Sequence, residues 1–255
     1  MIDLHAHILP DMDDGPDDWD EALAMCRAAM DDGITRLAAT VHTNDGVYDN
    51  DARKIAARVG ELEGRMKAAG GFDGIEIMIG AEAGISPDLA DRVRDGSIPT
   101  INGKNHLLVE LPFNSMPLRL EETLFALRAN GILPILAHPE RNRVVQDSPA
   151  ALERIVRAGA LVQVTASSLE GTFGKGAARC AERLLRAGLV HNIATDAHST
   201  GGRPPVLSGA FRRAKRLIGE RGARMLVEEI PAMIADGVET DPLRLKIPVK
   251  RWFFF

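Results

Sequence analysis

Hydrophobic residues follow two alternating patterns along the chain. Short apolar runs rich in Ile, Leu, Val and Ala are separated by longer segments in which apolar residues recur every three or four positions. The short runs are typical of strands buried on both faces, and the longer spacing is typical of amphipathic helices. The predicted strands cover residues 1–7, 35–41, 75–80, 106–110, 132–137, 161–164 and 191–194. The predicted helices cover residues 19–30, 52–69, 119–130, 149–158, 175–187 and 207–218.

Residues that favour helix ends support this division. Ser148 followed by Pro149 forms a suitable helix start, because serine caps the first turn and proline fits the first helical position. Glycine, which readily ends a helix, follows four predicted helices or their last turn, as Gly33, Gly70, Gly131 and Gly188.

Strict alternation of strands and helices predicts a parallel sheet that is covered on both faces. About seven such units, without a glycine-rich dinucleotide loop after the first strand, favour a closed barrel over an open sheet. The expected fold is therefore α/β, a distorted (β/α)7 TIM-like barrel. The composition shows no linker-like change, so residues 1–255 are expected to form a single domain with an aromatic tail at about 245–255.

Composition narrows the function classes. The 255 residues include 31 basic and 36 acidic side chains, without a long basic stretch, which argues against nucleic acid as the main partner. The two cysteines, Cys26 and Cys180, predict no disulfide framework and fit a reducing compartment. No signal-like segment and no run of about 20 apolar residues is present. We therefore expect a soluble cytoplasmic protein without a transmembrane segment.

Most predicted strands end in side chains that can bind a metal ion. His5 and His7 lie two residues apart on the first strand and therefore point to the same face. Active sites of barrels lie at the carboxyl ends of the strands, where all of these groups would meet. The loop of residues 11–15 adds further carboxylates to the same end. The candidates are His5, His7, Asp14, His42, Glu82, Glu110, His138, Asp196 and His198.

This ligand set points to a cluster of metal ions. Imidazoles and carboxylates without thiolates suit zinc, manganese or iron. Nine candidates are too many for one ion, so two or three closely spaced divalent ions are expected. Such clusters promote displacement at phosphorus. Arg141 and Arg203, which follow the fifth and seventh strands, are suited to bind phosphoryl oxygens through their guanidinium groups.

The motifs resemble those of a known family. Asp-Leu-His-Ala-His-Ile-Leu-Pro-Asp-Met-Asp-Asp-Gly at residues 3–15 is similar to the opening of the PHP (polymerase and histidinol phosphatase) superfamily. More narrowly, it resembles the manganese-dependent protein-tyrosine phosphatases of capsule and exopolysaccharide biosynthesis. The similarity continues through Ala-Thr-Val-His42, Leu-Val-Glu110-Leu-Pro, Ala-His138-Pro-Glu-Arg141 and Ala-Thr-Asp196-Ala-His198, and covers about residues 1–235.

The resemblance implies a PHP-type barrel with three metal positions. Their ligands would be His5, His7, Glu82 and Asp196 for the first, Glu82, Glu110 and His138 for the second, and Asp14, His42 and His198 for the third. Arg141 and Arg203 would bind phosphate, and the implied catalytic residues are these two with His42 and His198. The family usually has Pro-His-His where this chain has Val-His-Thr43, so the ligand is retained and the second histidine is missing.

The implied reaction is hydrolysis of phosphotyrosine in proteins by direct attack of metal-bound hydroxide, with manganese as the expected metal. The expected substrate is a bacterial tyrosine kinase with a tyrosine-rich tail that controls polysaccharide export. A small-molecule phosphatase of the same superfamily, such as histidinol-phosphatase, is the alternative. A non-catalytic regulatory module is a third, although degenerate modules lose ligands and every position here is filled. A homo-oligomer remains open.

Other residues have plainer interpretations. His106 and His191 begin their strands and are expected to be structural. Asp11 and Asp13 either face solvent in their loop or form hydrogen bonds to a metal ligand. Gln163 is the polar residue of the sixth strand, and whether it lines the site is left open. Cys180 matches a Cys-x5-Arg pattern through Arg186, but its neighbours favour a helix, so a phosphatase nucleophile is not expected. The tail of residues 250–255 either packs on the protein or docks on a partner or membrane.

Overall fold

Seven parallel strands form one sheet in which each strand pairs with the next along the chain. The structure is a computed structural model that describes residues 1–249. The strands are β1 (Ile2–Ala6), β2 (Arg36–Thr43), β3 (Glu76–Gly84), β4 (His106–Glu110), β5 (Leu133–Leu136), β6 (Leu161–Thr165) and β7 (Asn192–Ala194). A parallel bridge between Ala6 and Ala197 joins the last strand to the first, so the sheet nearly closes. The predicted seven-stranded barrel is confirmed.

Helices connect the strands and pack their apolar faces on the sheet. In the helix after β1, for example, Ala22, Met25, Cys26 and Ala29 are fully buried. The helices are α1 (Trp19–Asp31), α2 (Ala52–Ala69), α3 (Leu89–Arg94), α4 (Leu120–Ala129), α5 (Arg143–Asp147), α6 (Ala151–Arg157), α7 (Ala166–Glu170), α8 (Gly174–Arg186), α9 (Ser208–Ile218), α10 (Glu220–Arg224) and α11 (Ile230–Ala235). Short 3-10 turns occupy Ile101–Gly103 and Pro139–Arg141, and a π-helical turn occupies Met225–Glu229.

Two differences from the predicted boundaries have a clear cause in the hydrogen bonding. The helix predicted from Pro149 begins at Ala151, because the Ser148 and Pro149 carbonyls accept from the Ala151 and Leu152 N–H groups, three residues on, and form a tight turn before the regular helix. Strand β3 continues beyond residue 80 to Gly84, because its pairing with β2 extends as far as Ala83. The predicted helix-ending glycines are confirmed, since Gly33, Gly70, Gly131 and Gly188 all have positive φ.

The segment after α11 runs across the amino-terminal ends of the strands. Nε2 of His106, at the start of β4, lies 2.8 Å from Thr240 Oγ1. His191 precedes β7, accepts from the Val162 N–H at Nδ1 and faces the Pro242 carbonyl with Nε2. Both imidazoles are buried at the end of the barrel away from the candidate ligands, so their predicted structural role is confirmed. Within residues 1–249 no helix is long and apolar enough to cross a bilayer. The aromatic residues at 252–255 lie outside the described residues.

Candidate metal centre

At the carboxyl ends of the strands, seven of the nine predicted ligands line one cavity of about 210 Å³, and the other two, His5 and His7, contact the lining residue Glu82. His5, Glu82 and Glu110 lie on β1, β3 and β4, and His42 lies near the end of β2. His138 follows β5, and Asp196 follows β7. His138 and Asp196 have φ values of 30° and 55°, a left-handed conformation that is uncommon for residues other than glycine. The backbone turns sharply at both residues, immediately after their strands.

A fully buried group of four ligands lies at the centre. His5, Glu82, His138 and Asp196 each offer one ligand atom, and these atoms all lie within 4.8 Å of one another. His5 Nε2 is 3.2 Å from Glu82 Oε2 and 3.3 Å from Asp196 Oδ1. His138 Nε2 is 2.8 Å from Glu82 Oε1. Glu82 therefore uses both carboxylate oxygens within this group.

A second group of four, His7, Asp14, His42 and His198, lies nearer the solvent. Asp14 Oδ1 is 3.2 Å from His198 Nε2 and 3.7 Å from His42 Nε2. His7 Nε2 lies between the two groups, 3.3 Å from Glu82 Oε2. The resemblance assigned His7 to the ligands of the first metal, whereas the distances also place it with Asp14, His42 and His198.

A third group consists of His42, Asp45 and Glu110. His42 Nδ1 is 3.7 Å from Asp45 Oδ2 and 3.7 Å from Glu110 Oε2. Glu110 Oε1 also lies 3.7 Å from His138 Nε2, so this carboxylate faces both the second and the central groups. All nine predicted ligands are thus brought together. Asp45 was missed by sequence reasoning, although it follows His42 by only three residues.

The tautomers of the first two histidines show why this set fits cations. The Nδ1 atom of His7 lies 2.7 Å from Asp13 Oδ2, and that of His5 lies 3.0 Å from Gln163 Oε1. Because both partners are acceptors, the neutral form of each ring carries its hydrogen on Nδ1 and leaves a lone pair on Nε2. These Nε2 atoms are only 3.1 Å apart, beside two carboxylates. Both Glu82 carboxylate oxygens and His42 Nδ1 are also buried without a hydrogen-bond partner. Divalent cations bound among these atoms would satisfy all of them.

The surroundings of Glu110 and Glu82 shift the pKa values of these two carboxylates in opposite directions. Burial, followed by the nearby Glu82 carboxylate, raises the pKa of Glu110 to about 8. Burial also tends to raise the pKa of Glu82, but the charges of His5 and His138 outweigh it and hold that pKa well below its ordinary value. Glu82 is therefore ionised at neutral pH, whereas Glu110 retains a proton until a cation displaces it.

Two arginines that are far apart in the sequence contact the same carboxylate. Arg141 Nη1 and Arg203 Nη2 lie 2.8 Å and 2.5 Å from Asp196 Oδ2. The other oxygen of Asp196, Oδ1, faces His5 and His7. One carboxylate thus joins the metal-competent groups to a pair of guanidinium groups, both of which line the cavity. This arrangement suits an oxyanion that contacts cations on one side and arginines on the other.

Comparison with known proteins now identifies the family. Residues 1–235 match the model of the family described as capsular polysaccharide synthesis, CpsB/CapC. The chain belongs to the CpsB/CapC family. The tyrosine-protein phosphatase YwqE of Bacillus subtilis is 38% identical over 203 residues, which cover 78% of each chain. CapC of Staphylococcus aureus is 31% identical over 261 residues, which cover 99% of each chain.

A solved structure agrees with this assignment. It belongs to a set of crystal structures of YwqE from Bacillus subtilis and CpsB from Streptococcus pneumoniae, which are described as unique metal-dependent tyrosine phosphatases. It superposes with a TM-score of 0.84 and 32% identity, covering 98% of this chain and 100% of the other. The family resemblance inferred from the motifs is therefore confirmed, and the relatives named here support a tyrosine phosphatase and not a small-molecule phosphatase.

The residues around the ligands of this CpsB/CapC member were only partly expected. Asp13, left open from sequence, binds the His7 ring, the His42 N–H and the Gly15 N–H. Gln163 is fully buried and binds the His5 ring, so it belongs to the site. Asp11 is exposed and lies 3.4 Å from the guanidinium of Arg58.

Thr43 stands where the resemblance implies a second histidine. Its side chain is fully buried, and its hydroxyl donates to the Asn50 carbonyl at 2.8 Å. Asn50 in turn donates to the carbonyls of Met12 and His42. The residue therefore secures the loop that follows β2 and offers no group to the cavity.

Cys180 is not positioned as a nucleophile. It lies within α8, is buried, and faces the Val145 carbonyl. Burial raises the pKa of its thiol to about 12, so the thiolate required for attack is absent at neutral pH. The Cys-x5-Arg pattern that ends at Arg186 is a coincidence of helical sequence, as predicted.

Proposed function

We propose that this chain is a metal-dependent phosphomonoesterase that removes phosphate from phosphotyrosine in proteins. The observation that supports this most directly is that nine imidazole and carboxylate ligands converge at one end of the barrel, around a cavity that Arg141 and Arg203 also line. Membership of the CpsB/CapC family, whose similar members are named tyrosine-protein phosphatases, supports the choice of substrate. A non-catalytic module is not supported, because no ligand position has been lost.

We propose that two or three divalent ions bind here, with manganese as the native metal. The central ion would be held by His5, Glu82, His138 and Asp196, which share buried ligand atoms. Ions nearer the solvent would use the remaining predicted ligands, His7, Asp14, His42, Glu110 and His198, with Asp45 in addition. When bound, such ions supply Lewis-acid stabilisation of phosphoryl oxygens and lower the pKa of water.

The protein's own residues position the phosphoryl group and the ligands. Arg141 and Arg203 both bind Asp196 Oδ2, so their guanidinium groups are held at the cavity before a substrate arrives. They are placed to offset charge on the equatorial oxygens of a phosphoryl group during in-line displacement. Asp13 and Gln163 bind the Nδ1 atoms of His7 and His5, so the Nε2 atom of each ring is directed towards the carboxylate of Glu82.

His42 and His198 lie at the solvent side of the cavity and are proposed to act in catalysis as well as in metal binding. His42 is 15% exposed and His198 is 8% exposed, whereas His5 and His7 are fully buried. Both outer histidines approach Asp14, which is 53% exposed. A group at this position is reached by a substrate entering from solvent, which the central ligands are not.

We propose that the physiological substrate is a tyrosine-phosphorylated bacterial kinase of polysaccharide export, encountered in the cytoplasm. An extended kinase tail can present a phosphotyrosine to a cavity that opens at the barrel mouth. Cys26 and Cys180 are buried and unpaired, in keeping with a reducing compartment.

The test compares substrates on the same metal-loaded protein. Chelator-stripped protein is supplied with Mn²⁺, and phosphate release is measured from a phosphotyrosyl peptide and from histidinol phosphate. We expect Mn²⁺ to restore activity on the peptide with little activity on the small molecule. A preference for histidinol phosphate would overturn the substrate class, and activity that persists without metal would overturn the metal dependence.

A further inference from the structure

One lining residue differs in character from all the others around the cavity. Phe113 is apolar and 43% exposed, whereas the other lining side chains within residues 1–249 are charged or are histidines. Those other residues are Asp14, His42, Asp45, Glu82, Glu110, His138, Arg141, Asp196, His198 and Arg203. Among these lining residues, the Phe113 ring therefore offers the apolar surface that an apolar part of a ligand could contact.

The backbone fixes Phe113 at this position. It lies in the loop between β4 and α4, and its carbonyl accepts from the Arg143 N–H at 2.9 Å. The Asn142 side chain donates to the carbonyls of Pro112 and Ser115 at 2.7 Å and 2.9 Å. The loop is therefore held on both sides of Phe113 by the segment after β5, which also carries His138 and Arg141.

The Phe113 ring is ordered by two neighbours. It lies nearly parallel to the His138 ring, with centroids 5.9 Å apart, and the Arg141 guanidinium carbon is 4.7 Å from its centroid. Because its backbone and ring are both held, Phe113 can contact a ligand with little loss of side-chain entropy. The ring thus lies beside one of the proposed phosphate-binding groups.

Phe173 provides an internal comparison. Its ring centroid is 4.5 Å from the Arg141 guanidinium carbon and 5.5 Å from that of Arg203, but Phe173 does not line the cavity. Phe173 therefore contacts both arginines from outside the cavity lining. Phe113 shares the contact with Arg141 and adds an exposed surface inside the cavity.

We infer that Phe113 is a specificity-determining residue that packs against the aromatic ring of an aryl phosphomonoester. A ring attached directly to the phosphate oxygen is the apolar surface nearest to a phosphoryl group bound at Arg141 and Arg203. Phe113 lies next to Arg141 and therefore stabilises an aryl ester over an alkyl ester of the same charge. The inference rests on the proposed function and explains how the same site selects phosphotyrosine.

The test measures binding of two phosphonates of the same charge, one of which carries a phenyl ring where the other carries a methyl group. Phenylphosphonate and methylphosphonate are titrated by calorimetry into the Mn²⁺-loaded wild type, Phe113→Leu and Phe173→Leu. We expect Phe113→Leu to weaken phenylphosphonate by about tenfold more than methylphosphonate, because the aromatic contact is lost. Phe173→Leu is expected to weaken both ligands by the same factor, and Phe113→Tyr to retain the wild-type preference.

Equal weakening of both phosphonates in Phe113→Leu would overturn the inference, because Phe113 would then only support Arg141. A wild type without preference for the phenyl compound would overturn it as well. The readout is a binding constant and does not require turnover. Absence of phosphate release from a phosphotyrosyl peptide would therefore contradict the proposed function separately, whatever the phosphonates show.

Discussion

Asp13 offers a sharp test of how the site holds its ligands. Its Oδ2 lies 2.7 Å from His7 Nδ1 and 2.8 Å from the His42 N–H, and its Oδ1 lies 3.0 Å from the Gly15 N–H. In Asp13→Asn only one side-chain oxygen remains to accept, while the new amide group meets N–H donors. His7 then loses its acceptor or adopts the other tautomer, which places a proton on the nitrogen that faces the metal position.

The expected loss follows from this change. Replacing the carboxylate partner of a ligating histidine typically weakens metal binding about 10- to 100-fold. This range corresponds to about 1.4–2.7 kcal/mol. It agrees with the roughly 1.5–3 kcal/mol of a hydrogen bond to a charged group. The protein should remain folded, since the substitution preserves the size of the side chain.

The assay is a competitive titration of chelator-stripped protein with Mn²⁺ in the presence of an indicator dye. Asp11→Asn is the matched control, because it makes the same substitution in the same loop at a side chain that is 70% exposed. Asparagine also tolerates the positive φ of 57° at that position. Wild-type affinity in Asp13→Asn, or an equal loss in both variants, would refute the proposed role of Asp13.

Three further variants probe other parts of the molecule. His138→Asn, chosen because asparagine tolerates the φ of 30°, should lower kcat at least about 100-fold with an unchanged circular dichroism spectrum; near-normal turnover would exclude His138 as a ligand. Cys180→Ala should retain phosphatase activity within about twofold, and loss of activity in a folded variant would reopen a thiol mechanism. Burial lowers the pKa of His106 to about 4, so this imidazole binds a proton in the unfolded chain below pH 6.5 but stays neutral in the folded protein. The contribution of His106 to the free energy of unfolding therefore falls by about 3 kcal/mol between pH 6.5 and pH 4. His106→Asn should flatten this decline in urea unfolding, whereas parallel pH profiles would contradict the buried neutral imidazole.

The convergence of the candidate ligands was predictable because all strands of a parallel barrel end at the same rim. Every strand runs in the same direction, so groups at strand ends such as His42, Glu110 and His138 must meet at one rim. The period-2 geometry of β1 likewise predicted that His5 and His7 share a face. No detail of packing is needed for either prediction.

The residues that sequence missed lie in loops, where no periodicity operates. Asp45 and Phe113 line the cavity from loops that hydrogen bonds hold in place: Asp45 accepts from the Val47 and Tyr48 N–H groups, and the Phe113 carbonyl accepts from the Arg143 N–H. The helix predicted to start after Ser148 begins two residues later, because the Ser148 and Pro149 carbonyls are bonded in a tight turn that precedes the regular helix. The roles of Asp13 and Gln163 could not be predicted from sequence, because they depend on where the rings of His7 and His5 lie.

The most direct measurement follows bound metal and phosphatase activity on the same sample as chelator-stripped protein is titrated with Mn²⁺. We expect phosphate release from a phosphotyrosyl peptide to rise with bound Mn²⁺ and to level off at two or three ions per chain. Full activity in the metal-free protein, or no activity after two or three ions have bound, would contradict a metal-dependent phosphotyrosine phosphatase at this rim.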